Sequence, residues 1–373
     1  MSGLWTSAAR LRGPRQGAPM QIPPVATDQA GLFSRQQALE ALASEGALRR
    51  ALRAGSITPY ATGVYGEAQL ARSDRRTRHL LEARAAILSL GDEWCVARRT
   101  AAALLGLPLL GRAPTEVQLT RARSTTSIRS SSRHRRINAL LEAERTLVDG
   151  LATTTLARTV FDLARTESLR SGVVTADAAL RSGLPREELV RVLDAHRGWP
   201  GVRRARTALA FADGRSESPL ESLGRLTCLE EDLPVFEPQV EVWLDGELIA
   251  RVDGLWREQL VVFEGDGAMK FDGEGVLPAL LMRQERLREA GLPVVRAGWH
   301  DLTRRRKAWA LGARRDLTER AGRPRPDVQL VATRVRPTPL DRSDHYRWPP
   351  LPALSTEHAA LDTAHEPSAR RVA

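Results

Sequence analysis

The chain has 373 residues, a formal net charge of +11, 42% hydrophobic residues and 27% charged residues. It is long for a single domain and apolar enough for real cores, and it lacks the run of about 20 apolar residues that a membrane helix needs. Its charge favours polyanionic partners, above all nucleic acid, because clustered cations displace counterions from phosphates. Arginine supplies most of that charge, a bias that a GC-rich genome also produces.

Residues 1–26 contain Arg10, Arg12 and Arg15 but no apolar segment of a secretory signal. They read as a disordered leader, with Met20 as an alternative start. Residues 27–70 read as a small helical unit followed by a hairpin. Ser34 is placed to cap a helix over RQQALEALA, Gly46 breaks the pattern, and a second helix, ALRRALRAG, stops at Gly55. ITPYATGVYG then carries strand residues around a turn at Ala61-Thr62-Gly63. Two short helices and a hairpin make a winged-helix plan, in which the second helix enters the major groove. Arg49, Arg50 and Arg53 on that helix are the DNA-contact candidates, and a plain solvated face is the alternative.

Residues 71–215 read as a mostly helical connecting domain. It begins with helical patterns over DRRTRHLLEARAAILSLG and VARRTAAALLGLPLLG, followed by a strand, a loop and a strand through EVQLTRARSTTSIRSSSRHRRI. Arg121, Arg123, Arg129, Arg133, Arg135 and Arg136 lie in that stretch with no acid among them, as a solvated loop or a phosphate-contact loop would. TTTLARTVFDLAR and three further short helices follow, with Thr153 to Thr155 as cap candidates. His196 stands alone and reads as a surface or capping residue. Cys95 and Cys228 are far apart in sequence and read as buried, reduced thiols of a cytoplasmic protein.

Residues 216–318 change character. ESPLESLGRLTCLEE is a helix capped by Ser218, with Pro219 at its first position. QVEVWL and ELIARVDGLW alternate as a hairpin around Asp245-Gly246, QLVVFEGDG reads as a buried strand, VLPALLMRQERLREAG as a helix and LPVVRAGW as a last strand. The order α-β-β-β-α-β defines a layered α/β domain. From 319 to 373 the chain is rich in Pro and Arg, lacks a period, and reads as disordered.

The chemistry-bearing residues cluster in the α/β region. Asp253 falls near the end of one strand, and Glu264 and Asp266 near the end of the next, two apart and so on one face. Glu221, from the preceding helix, is a fourth carboxylate. Such oxygen donors suit Mg²⁺, which keeps several waters and needs one or two carboxylates. Mg²⁺ would generate a nucleophile from water and neutralise charge on a phosphodiester. Lys270 is placed to orient the water or stabilise the transition state. The glycines after Asp253 and Asp266 leave plain turn residues as the alternative.

RVDGLW, VVFEGDGAMKF and RQERLREAGLPVVRAGWHDL, with Ser218-Pro219-Leu220-Glu221-Ser222 and the Gln239-to-Val242 strand, resemble the restriction-endonuclease-like domain of very-short-patch mismatch repair endonucleases. The resemblance spans roughly residues 217–302. It implies a PD-(D/E)XK fold, Mg²⁺ bound by Asp253, Glu264 and Asp266, a catalytic set completed by Lys270 and Glu221, and DNA as substrate. Asp266 stands two residues after Glu264, where the wider pattern has lysine, so the basic group is displaced to Lys270. Leu32-Phe33-Ser34-Arg35-Gln36-Gln37-Ala38 and Gly63-Val64-Tyr65, with ARRTAAALLGL and TLARTVFDLAR, resemble AbiEi-type antitoxins of type IV toxin–antitoxin systems. That likeness implies a DNA-binding winged helix and a cognate toxin as partner.

The expected fold is therefore an α/β multidomain chain with an N-terminal winged helix, a helical middle and a C-terminal restriction-endonuclease-like domain. The expected function is DNA binding with Mg²⁺-dependent endonuclease activity and no membrane partner. The alternatives are a non-catalytic antitoxin or transcriptional regulator with a degenerate nuclease-like domain, and an interaction protein whose charge is only compositional.

Overall fold

The computed structural model describes residues 29–42, 44–121, 129–130, 134–137, 140–267 and 276–340, together with 23 and 342. The fold is mixed α/β, in two compact units, residues 1–91 and 92–373. No helix among the described residues is long and apolar enough to cross a membrane.

In the first unit, β1 (Leu32–Ser34) leads into α1 (Arg35–Leu42) and α2 (Glu45–Arg53), and β2 (Ile57–Ala61) and β3 (Val64–Glu67) form a hairpin. The antiparallel sheet has the order β1-β3-β2. Ser34 caps α1 reciprocally: its Oγ accepts from Gln37 N at 3.2 Å while Gln37 Oε1 accepts from Ser34 N at 2.7 Å. The expected break at Gly46 falls earlier, because Ser44 caps α2 and leaves Gly46 inside its first turn. At the hairpin tip Gly63 takes φ +69°, which side chains rarely adopt. The next helix, α3 (Arg75–Leu90), belongs to this unit and not to the connecting region, since its Leu81 and Ala85 pack on Leu32, Tyr60 and Val64.

The second unit opens with a sheet that holds the two strands expected around residues 117 and 134 and adds others where helices were expected. β4 (Trp94–Val96), α4 (Arg98–Leu105), β5 (Val117–Arg121), β6 (Arg129–Ser130), β7 (His134–Ile137), β8 (Arg145–Val148) and β9 (Leu151–Thr154) build a six-stranded sheet of order β6-β7-β5-β4-β9-β8. These strands are too short to show alternation in the sequence. Four helices follow, α5 (Leu156–Thr166), α6 (Leu169–Arg181), α7 (Arg186–Ala195) and α8 (Val202–Phe211). They bury Val160, Phe161, Leu163, Val173, Leu189 and Leu209 in one core.

The chain continues as α9 (Pro219–Glu230), β10 (Glu237–Leu244), β11 (Glu247–Trp256), β12 (Val261–Asp266), α10 (Val276–Glu289) and β13 (Val294–Gly298), followed by α11 (Trp299–Thr303), α12 (Arg306–Ala321) and β14 (Gln329–Ala332). The sheet order is β13-β12-β11-β10-β14, with β12 and β13 parallel and the other neighbours antiparallel. The β10–β11 hairpin turns at Asp245 (φ 51°) and Gly246 (φ 81°), as a tight primed turn requires. Leu287 of α10 and Ala290 just after it pack with Val252 and Val262 in one core. Leu220 and Leu223 of α9, with Ala313 and Leu317 of α12, enclose Phe263 and Val295 in another.

No gap separates this segment from the helices before it. Leu226 of α9 packs in the helical core, while Leu220 and Leu223 serve the α/β core. The segment from 319, expected to be disordered, is ordered through residue 340. β14 pairs with β10, Thr338 N donates to Arg181 O at 3.0 Å, and Leu340 packs against the helical core. Its backbone is satisfied by neighbouring elements rather than by a period of its own. Residues 343–373 lie outside the described residues.

Candidate active site

Four of the five carboxylate and lysine candidates fall on α9, β11 and β12; Lys270 lies outside the described residues. Ser218 caps α9 through a 3.2 Å bond from Glu221 N to its Oγ, which fixes Glu221 in the first turn. The Glu221 side chain is buried, and its Oε2 accepts from Glu217 N and from Gln239 Nε2, each at 2.9 Å. Burial, and then the charge of Asp253, pushes its pKa up to about 8. Gln239 is buried as well and holds φ 53°, an uncommon conformation for a residue with a side chain. It falls opposite Asp253, between the Pro238–Gly254 and Val240–Val252 pairs of the ladder.

Asp253 is half-buried, and its Oδ2 accepts from Gly265 N at 2.9 Å, which ties β11 to β12 between Glu264 and Asp266. Glu264 is buried and receives Arg283 Nη2 on Oε1 at 2.5 Å; the same nitrogen donates to Arg251 O at 2.7 Å. Asp266 is partly exposed and faces Arg296 Nη1, 3.4 Å from each carboxylate oxygen. Arg251 grips Glu217 with two bonds of 2.6 and 3.1 Å. That bond, with the charges of Glu217, Glu221 and Asp253, outweighs burial and raises its pKa.

The geometry therefore brings Glu221 and Asp253 under each other's charge and sends Glu264 and Asp266 to separate arginines. Among the described residues no group of three or more His, Cys, Asp or Glu is arranged to hold a metal ion. The expected trio Asp253, Glu264 and Asp266 is thus not drawn together as one ligand set. Arg251, Arg283 and Gln239 join the site through contacts that local sequence does not reveal. Arg283 lies four residues before Leu287, on the face that α10 turns to the sheet, and that spacing was the available signal.

On the first unit, Arg49, Arg50 and Arg53 are all exposed on α2. Arg53 Nε reaches only the Arg49 carbonyl at 3.4 Å, while the nearby acid Glu45 pairs with Arg35. Of the basic stretch, Arg121 pairs with Glu93 at 3.3 Å and lies over the Trp94 ring. Arg123 and Arg133 lie outside the described residues.

A second cluster of buried charge lies under α5. Arg158, fully buried, donates to Asp162 at 2.9 Å and pairs with Glu144. His196 is the C-cap residue of α7, but its ring is buried instead of lying at the surface and places Nε2 2.6 Å from Glu144 Oε1. Arg165 donates to Asp162 at 2.8 Å. The guanidinium groups of Arg158 and Arg165 each lie 4.8 Å from the centre of the Trp199 ring. Burial pushes the Glu144 pKa up, but the His196 hydrogen bond and the Arg158 charge outweigh it and leave it lowered. Both cysteines are buried and unbridged.

Against known proteins, no family model matches the chain. It is 32% identical over 163 residues to uncharacterized protein Rv2248 of Mycobacterium tuberculosis strain ATCC 25618 / H37Rv, and equally to uncharacterized protein MT2308 of strain CDC 1551 / Oshkosh. The match covers 43% of this chain and 59% of each relative's length. In structure the chain is similar to the RV2827C protein from Mycobacterium tuberculosis at 16% identity and a TM-score of 0.38, over 51% of this chain and 74% of that one. That likeness is too distant to carry an argument.

Proposed function

We propose that this is a DNA-binding protein whose residues 216–318 form a restriction-endonuclease-like domain with Mg²⁺-dependent endonuclease activity. On this reading the first unit is a winged helix that meets DNA through Arg49, Arg50 and Arg53. The observation that carries the proposal is buried Glu221 beside half-buried Asp253, where burial and then the Asp253 charge push the Glu221 pKa up to about 8, next to a sheet whose elements run α-β-β-β-α-β. Excess negative charge of hard oxygen donors fits a cation, and Mg²⁺ needs only one or two such ligands. Asp253 and Glu221 would hold it, with Glu264 and Asp266 flanking. Bound there, the ion would lower the pKa of a water and neutralise phosphate charge. Gln239 holds Glu221 in place, Gly265 N orients Asp253, and Arg283 sits on Glu264. Supercoiled plasmid is expected to be nicked by the full chain with Mg²⁺, with the activity lost in EDTA and in Asp253→Ala. Intact plasmid, or cleavage that persists in the variant, would overturn the proposal.

A second reading draws on the arginines. Glu264 and Asp266 are each engaged by a guanidinium, as in a scaffold that binds DNA without cutting it. The protein would then be an antitoxin-type regulator of a toxin–antitoxin pair. Salt-sensitive retention of its own promoter fragment without cleavage would favour that reading.

A further inference from the structure

Beside Glu264 lies a small cavity lined by Glu264, Arg283, Gln284, Leu287, Val294 and Arg296. Arg283 is bonded to Glu264 at 2.5 Å while Arg296 faces Asp266 at 3.4 Å, so Arg296 is the more loosely paired of the cavity's two guanidiniums. Arg296 is the register partner of Glu264 in the parallel β12–β13 ladder, and both side chains leave the same face of the sheet. Gln284 Oε1 accepts from Arg296 Nη2 at 3.0 Å and holds the guanidinium in place. The Arg296 contact to Asp266 is loose, 3.4 Å to both oxygens with the two side chains 40% and 39% exposed. Charge-assisted bonds usually measure about 2.7–2.9 Å, and exposed ion pairs contribute little. Arginine forks accept a phosphate in the geometry in which they accept a carboxylate.

We infer that Arg296, supported by Arg283, forms a subsite for a backbone phosphate of DNA, and that Asp266 competes with that phosphate for the same guanidinium. The inference rests on the DNA-processing reading above and adds the residues that would position the strand. It also gives Asp266 a role opposite to that of a ligand that helps hold the substrate: its charge weakens DNA binding.

The test is fluorescence anisotropy of a short labelled duplex, in EDTA so that cleavage plays no part. The protein is the full chain carrying Arg49→Gln, Arg50→Gln and Arg53→Gln, so that the first unit does not dominate. Adding Arg296→Gln is expected to weaken binding about fivefold and to lower the slope of log K against log salt by about one. Adding Asp266→Asn, of the same size, is expected to tighten binding about threefold by releasing Arg296. Both side chains are partly exposed, so neither change threatens folding; Arg283→Gln, with a slope loss of about one more, is a supporting variant only. Unchanged affinity and slope in Arg296→Gln, weaker binding in Asp266→Asn, or no binding in the starting protein would overturn the subsite. If the wild-type chain fails to cut plasmid with Mg²⁺ while these binding shifts hold, the nuclease reading falls and the subsite stands.

Discussion

Two of the places where the second unit buries charge treat it in opposite ways. Under α5, Arg158 and Arg165 meet Glu144 and Asp162, with His196 and Trp199 closing the group, and every carboxylate faces a cation. Between α9 and β11, Glu221 faces Asp253, neutral donors reach its Oε2, and the nearby Arg251, bonded to Glu217, does not offset burial, so its pKa is pushed up to about 8. A balanced cluster offsets its own desolvation and holds elements together. A like-charge pair costs folding energy that the fold must offset elsewhere, and such imbalance concentrates at sites that bind ions or do chemistry.

The largest expected effect comes from breaking the balanced cluster. Arg158→Met leaves Glu144 and Asp162 buried without their shared cation and is expected to destabilise the unit by about 3–5 kcal/mol, measured by urea unfolding. A loss below about 1 kcal/mol would mean that the cluster contributes no more than a surface pair does.

His79 tests what burial does to a titratable group of the first unit. In α3, burial and then the charge of Arg75 lower its pKa from 6.5 to about 4. Between those values the unfolded chain binds a proton that the folded unit does not, so stability rises with pH there and is lost as pH falls from 6.5 toward 4. The loss for the first unit is expected to be on the order of 2 kcal/mol. His79→Leu is expected to flatten the profile in that window, and an unchanged acid slope would rule this out.

The smallest effect should have the opposite sign. Glu221→Gln keeps an acceptor for Glu217 N and Gln239 Nε2 but removes the ionisable group that burial, and then the Asp253 charge, forces to hold a proton at neutral pH. It is expected to stabilise the fold by about 1 kcal/mol at neutral pH while abolishing plasmid cleavage. A variant both less stable and fully active would erase the contrast between the two clusters.

Local signals carried much of the fold. The Ser34 and Ser218 caps, the Asp245-Gly246 turn and the α-β-β-β-α-β order were all legible, because each depends on neighbours within a few residues. Of the six-stranded sheet only the strands around residues 117 and 134 were, because its strands run only two to five residues and pair across long separations. β14 was hidden in a proline-rich tail because its order comes from β10. At the site, the residue types at 221, 253, 264 and 266 were visible, but their partners were not. Arg283 and Glu264 are 19 residues apart, and His196 and Glu144 are 52 apart. No spacing rule connects such pairs, so the balance of charge, which separates a structural cluster from a chemical one, appears only in three dimensions.

The central claim is that the Glu221–Asp253 pair is a cation site, and Mn²⁺ binding followed by electron paramagnetic resonance tests it most directly. Mn²⁺ takes the same oxygen ligands as Mg²⁺. Saturable binding is expected to the wild-type chain, lost in Asp253→Asn and retained in Arg165→Lys, which leaves the acidic pair untouched. No saturable binding to the wild type, or equal binding by Asp253→Asn, would contradict it.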